Sequence, residues 1–155
     1  QPDDPSDVYR SENALAEDWV MVGTHDTEPI WAVTARWVEQ GRGLAHARYL
    51  EARGLTVDPR DARALARAKL AELFLSPARN VYVWWGDWFG ETEVYNRPGI
   101  VDELNWRLRL PRDFRAEHAR RCRAGVALDL HAVLAMALRA KGHHDLSRAL
   151  DRDGV

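Results

Sequence analysis

At 155 residues the chain has room for one ordinary domain, and its 46% hydrophobic and 30% charged residues read as a folded chain rather than a disordered tail. Lys plus Arg number 22 against 24 Asp plus Glu, a net charge of −2. No global basic field is therefore present to hold nucleic acid or an anionic membrane, and neither is expected as a partner. The longest apolar runs, such as Val81–Trp85, fall far short of the roughly 20 residues of a membrane span. The single cysteine, Cys122, excludes an internal disulfide and a Cys-based zinc cage. With no secretory pattern in residues 1–20, a reducing cytoplasmic setting is expected. The outlier is tryptophan, at seven residues.

Residues 1–17, with Pro2, Asp3, Asp4, Pro5, Ser6 and Asp7, read as a mobile lead-in. Trp19-Val20-Met21-Val22, stopped by Gly23, reads as a buried parallel strand. Thr24-His25-Asp26-Thr27 follows it directly. Thr27 then suits the cap of a helix opened by Glu28-Pro29, whose apolar residues Ile30, Trp31, Val33, Trp37 and Val38 recur at helical spacing up to Gly41 or Gly43. Strand, polar loop and helix make a βα unit. Leu44–Arg53 reads as a second helix ended by Gly54. A third is predicted from an Asp58 cap with Pro59 at its first position, running to Ser76-Pro77.

Asn80–Trp85, rich in β-branched and aromatic residues and ended by Gly86, is the second predicted strand. Trp84 and Trp85 are expected to pack within the core. Trp88 and Phe89, beyond the strand, are placed as surface platforms for sugar rings. The segment Gly86–Pro111 is too long and too aromatic to be a mere connector. Within it Asn96-Arg97-Pro98-Gly99 is a turn, and Asn105–Pro111 alternates like an edge strand or extended segment. Asp113–Ala140 is predicted helical, followed by a frayed tail over 143–155. Arg120, Arg121 and Arg123 read as a solvated face, and His143-His144 lack the spacing of a metal site.

Two parallel strands cannot form a stable sheet buried on both faces. The pattern therefore reads as a piece of a larger αβ barrel. In a barrel, residues just past a strand's C-terminal end sit at the mouth, where chemistry is done. His25 beside Asp26 offers a donor and a carboxylate suited to vicinal hydroxyls; the alternative is that Asp26 caps the next helix and His25 is an ordinary polar residue.

Together, Gly23-Thr24-His25-Asp26-Thr27, Asp87-Trp88-Phe89-Gly90, Asn96-Arg97-Pro98-Gly99 and Asn105-Trp106-Arg107-Leu108-Arg109-Leu110-Pro111 resemble, in order and spacing, the C-terminal part of the amylomaltase, or 4-α-glucanotransferase, family. The likeness runs over roughly residues 18–140 and departs from the family's common pattern at Thr27-Glu28-Pro29. It implies an α/β fold: the C-terminal fragment of a TIM-type (β/α)8 barrel, with about two parallel strands and several helices. Residues 18–142 would be the barrel part, preceded by a lead-in over 1–17 from an upstream portion. It further implies retaining transfer of α-1,4-glucan segments between maltooligosaccharides, without metal or cofactor. Asp26 corresponds to the family's third carboxylate, which stabilises the transition state. His25 and Asn96 correspond to sugar contacts, and Asn105 and Trp88 are placed with them as substrate-binding positions. The nucleophile and the acid/base, which a retaining mechanism needs about 5–5.5 Å apart, are expected upstream of this chain. The isolated chain is thus expected to be inactive: its partners are maltooligosaccharides or starch- or glycogen-derived glucans, and the upstream barrel portion is needed for activity. The alternative is a non-catalytic remnant, either a sugar binder using Trp88, Phe89 and Tyr95 or a helical interaction protein.

Overall fold

The computed structural model describes residues 4–153; the parts of the lead-in and tail expectations that fall on residues 1–3 and 154–155 lie outside them. The fold is mostly helical with one two-stranded parallel sheet. Strand β1 (Trp19–Val20) and strand β2 (Asn80–Val81) pair Trp19 with Asn80 and Val20 with Val81. The Tyr82 N–H adds a bond to Val20 O (2.9 Å). Between the strands lie α1 (Ile30–Glu39), α2 (Gly43–Glu51) and α3 (Ala62–Leu73). After β2 come α4 (Trp85–Phe89), α5 (Phe114–Arg123), α6 (Leu130–Ala140) and α7 (His144–Asp153).

Helix α3 is the centre. Leu65, Ala66, Ala68, Leu70 and Ala71 are fully buried, and α1, α2 and α6 pack around them with Leu50, Leu128 and Val133. Burying each leucine contributes about 1.5–3 kcal/mol relative to exposure, so this apolar stripe anchors the domain. Its cap is Asp61, whose carboxylate accepts the N–H groups of Arg63 and Ala64; the predicted Asp58 cap is overturned. Asp58 instead shapes the preceding turn, accepting the Arg60 N–H (2.9 Å) while its carbonyl accepts the Asp61 N–H. Both residues are acceptors, and the one whose following residues go helical becomes the cap. Helix α2 starts one residue earlier than predicted, at Gly43, where a Cβ would lie 2.1 Å from the Pro59 carbonyl oxygen.

The described part of the lead-in is tied down. Ser11 is buried in a 3-10 turn (Ser11–Asn13), and its hydroxyl donates to Glu72 Oε1 (2.6 Å). Tyr49 hydroxyl lies 2.6 Å from Glu72 and 2.8 Å from Glu12, Arg53 donates to Glu12 (2.7 Å), and Lys69 pairs with Glu72. These polar bonds staple the segment to α2 and α3, which composition could not reveal.

The second strand is shorter than predicted. After Val81 the chain leaves the ladder, and Trp85 begins α4 instead of ending β2. Gly86 allows this turn, because a Cβ there would sit 2.2 Å from the Trp84 ring. Gly90 closes α4 at φ +81°, and a Cβ there would strike the Val126 carbonyl oxygen at 1.8 Å. Residues 126–128 thus dock against α4, with the Leu128 N–H bonded to Trp88 O (3.0 Å). This docking breaks the single helix predicted over 113–140 into α5 and α6, with Gly125 at φ +68° in the break. The predicted frayed tail is also corrected. Helix α7 folds back beside α6, and Arg139 reaches Ser147 and Asp151, both at 2.8 Å. Asn105–Pro111 forms turns and irregular chain, with no ladder partner among the described residues.

Candidate functional site

The parallel sheet delivers two loops to one place. The loop after β1 is folded on itself by Thr27, whose hydroxyl oxygen accepts the Thr24 N–H (2.8 Å). Thr27 therefore shapes the loop and does not cap α1; Pro29 occupies the cap position with no side-chain cap bond of its own. Gly23 is buried between Thr27 and Asp87, with 2.9 Å and 3.3 Å respectively from its would-be Cβ to their side-chain oxygens, so any larger residue would push the loop outward. His25 and Asp26 stand at the crest, both side chains close to half exposed.

The loop after α4 meets them. Asn96 donates its side-chain amide to Asp26 Oδ1 (2.6 Å) and its backbone N–H to the His25 carbonyl (2.8 Å). His25 Nε2 lies 3.3 Å from the same Asp26 Oδ1. Asp26 Oδ2 accepts no hydrogen bond among the described residues, which leaves one carboxylate oxygen for a ligand. The three residues form a donor–acceptor cluster with free capacity, suited to a polyhydroxylated molecule.

Asn105 sits behind that cluster. Its Oδ1 accepts the Arg97 N–H (2.9 Å), and its Nδ2 donates to the Ile100 carbonyl (2.7 Å). The side chain thereby closes the Asn96–Gly99 turn from the rear, so its hydrogen bonds go to the loop. Trp88 takes no part in the cluster. It is half-buried, with its ring stacked at 3.7 Å on His118 of α5. The His118 Nε2 lies 3.2 Å and 3.1 Å from the carbonyls of Trp88 and Leu128. Phe89, expected as a surface platform, is buried at 1% exposure beneath Arg121. Trp84 is buried, as its place in the predicted strand suggested, whereas Trp85 is half-buried.

Asp87, named in the sequence only as part of the Asp87–Gly90 motif, is given no role there. It is fully buried, its Oδ1 accepts the Ile30 N–H at the start of α1 (2.7 Å), and its Oδ2 has no partner. Its backbone carbonyl accepts the Trp31 indole N–H (2.7 Å). Burial pushes its carboxyl up to about 6, against the smaller opposing pull of the Ile30 N–H. Asp87 supplies α1 with the cap that Pro29 cannot, and so ties α4 to the loop carrying His25 and Asp26. The only sequence hint is an acidic residue just after a strand, which does not identify a cap 57 residues distant.

Among the described residues, no three His, Cys, Asp or Glu side chains stand together as a metal site, and no helix is long and apolar enough to cross a membrane. Neither a curated protein nor a solved structure matches the chain. Residues 1–115, which contain β1 to α4 and both loops of the cluster, match the family model described as 4-alpha-glucanotransferase, and the chain belongs to that family.

Proposed function

We propose that this chain serves in 4-α-glucan transfer, contributing the transition-state carboxylate and sugar-holding loops of a retaining transglycosylase. The observation that carries the reading is the junction of Asn96 with both His25 and Asp26, which unites two motifs 70 residues apart at the same end of a parallel strand pair. Family membership makes glucans the substrate class.

In this reading β1 and β2 are neighbouring strands of a TIM-type (β/α)8 barrel, and residues 18–142 are its C-terminal part. Trp19 and Met21 are exposed beside a sheet of two strands, as expected of strands that continue into further barrel wall. The nucleophile and the acid/base then come from other strands of the barrel. Asp26 Oδ2 and His25 bind hydroxyls of the sugar at the cleavage point, while Asn96 fixes the carboxylate by occupying Oδ1. Such bonds accelerate the reaction to the extent that they strengthen as the ring flattens toward an oxocarbenium ion. Asn105 acts through the loop it closes.

The 155-residue chain incubated with maltotriose should release no glucose and form no longer maltooligosaccharides. In a polypeptide carrying this segment within a complete barrel, Asp26→Asn should lower kcat by about 10²–10³-fold, with KM changed far less. A rise in KM at constant kcat would instead mark Asp26 as a ground-state sugar contact and sink the transition-state role.

A further inference from the structure

One tryptophan beside the cluster is both strained and exposed. Trp106 is the one non-glycine residue with positive φ (+61°) among those described, a backbone conformation that tryptophan rarely adopts. It is nevertheless 51% exposed, and its indole N–H has no hydrogen-bond partner among the described residues. A strained residue that leaves half its surface to solvent and makes no side-chain hydrogen bond is not explained by stability alone.

The surroundings hold the strain in place. The Trp106 N–H donates to the Tyr95 carbonyl (2.9 Å), and Arg109 bonds the Trp106 carbonyl. On the preceding side, the Asn105 side chain is pinned to Arg97 and Ile100. The ring itself is steered from two sides: the Tyr95 ring meets it edge-on with centroids 5.2 Å apart, and the His25 ring lies 5.4 Å away at a tilt. Tyr95 is in turn wedged edge-on against Trp84 and Trp85. An exposed indole is thus braced at a set angle next to a carboxylate with an open oxygen.

We infer that Trp106 is the aromatic platform for a glucosyl ring whose hydroxyls reach Asp26 and His25. This rests on the glucan reading above and adds to it the surface on which the sugar's apolar C–H face lies. A pyranose presents an apolar face and an equatorial rim of hydroxyls, and indole faces suit the former as carboxylate and imidazole suit the latter. Trp88, the platform predicted from sequence, has one face on His118. Trp106 carries that role in its place.

The test follows the indole N–H signals of the 15N-labelled 155-residue chain during titration with maltotriose, with sorbitol as a ring-free polyol control. Maltotriose should shift the Trp106 indole and the His25 ring signals, and sorbitol should not. Trp106→Phe should bind within about threefold of the parent, and Trp106→Leu, which keeps bulk without a ring face, should bind about tenfold or more weakly. Trp106→Gly separates binding from folding. It relieves the positive φ, so its Tm should be equal to or above the parent's while maltotriose binding is lost. A lower Tm for Trp106→Gly, or binding by Trp106→Leu within twofold of the parent, would overturn the inference. So would maltotriose shifts that spare Trp106, with the glucan reading left standing. No shift at any residue would overturn both.

Discussion

Two polar clusters of the molecule are built by contrary rules. Around Glu72 the carboxylate is 1% exposed, and its oxygens meet the Ser11 and Tyr49 hydroxyls and the Lys69 ammonium. Burial raises its pKa, but the charge of Lys69 and the hydrogen bonds outweigh it and hold the carboxyl below the ordinary glutamate value. Around His25 and Asp26 the groups are half exposed, one carboxylate oxygen is open, and the neighbouring tryptophan is strained. Asp87 beneath that second cluster is buried with an unpartnered oxygen. A buried carboxylate whose two oxygens are both taken up by the protein's own donors stabilises the fold. A half-exposed one with an oxygen left open, beside a strained tryptophan, is poised for a ligand.

The contrast can be broken most severely at Glu72. Glu72→Ala removes a buried carboxylate from the part-buried Lys69 ammonium and from the Ser11 and Tyr49 hydroxyls, and should destabilise the chain by about 3–5 kcal/mol, measured by urea unfolding. A loss below about 1 kcal/mol would show that the cluster does not hold the lead-in to α2 and α3.

Asp87 sharpens the comparison through pH. Its folded value is raised, so the folded state binds the proton first, and stability contributed by protonated Asp87 is lost as pH rises from 3.8 through about 6. Glu72 has the opposite sign: its contribution is present above the ordinary glutamate pKa and disappears as pH falls through its depressed folded value. Asp87→Asn keeps an acceptor for the Ile30 N–H and removes the buried charge. It should raise stability at pH 7.5 by about 1–2 kcal/mol, with the advantage shrinking at pH 5. An advantage of equal size at both pH values would mean that Asp87 does not titrate in this window. The smallest effect is expected at Asn105. Asn105→Ala should lower stability by only about 1 kcal/mol, because its bonds lie near the surface, while broadening the Asn96 and His25 amide signals. Unchanged signals would remove Asn105 as the brace of the loop.

The local features of the site were legible without coordinates. Polar Thr24–Thr27 after an apolar run ended by glycine reads as a loop at a strand's end, and Asn96–Gly99 reads as a turn. Helices α1, α2 and α3 follow from apolar spacing with nearby Gly and Pro signals. The misread elements share one cause. Asp58 and Asp61 are chemically equivalent caps, and the choice fell to the turn between them. Trp84-Trp85 suits a strand by propensity, yet the close fit of Gly86 under Trp84 and the pull of Asp87 on α1 turn it into a helix. Helix 113–140 has no strong breaker except Gly125, and it divides because residues 126–128 dock on α4.

The sequence by itself determined which residues could take part: a carboxylate, an imidazole, an amide and a surplus of indoles, each carried on an element of legible type. Their kinship to the 4-α-glucanotransferase family was also readable from motif order. Only the tertiary structure decided which of them meet. Asn96 finds Asp26 across 70 residues, Asp87 caps a helix 57 residues before it, and His118 covers Trp88 while Trp106 stays open. Propensity and periodicity act over a few residues. Pairings across such separations depend on which surfaces the packed core brings together.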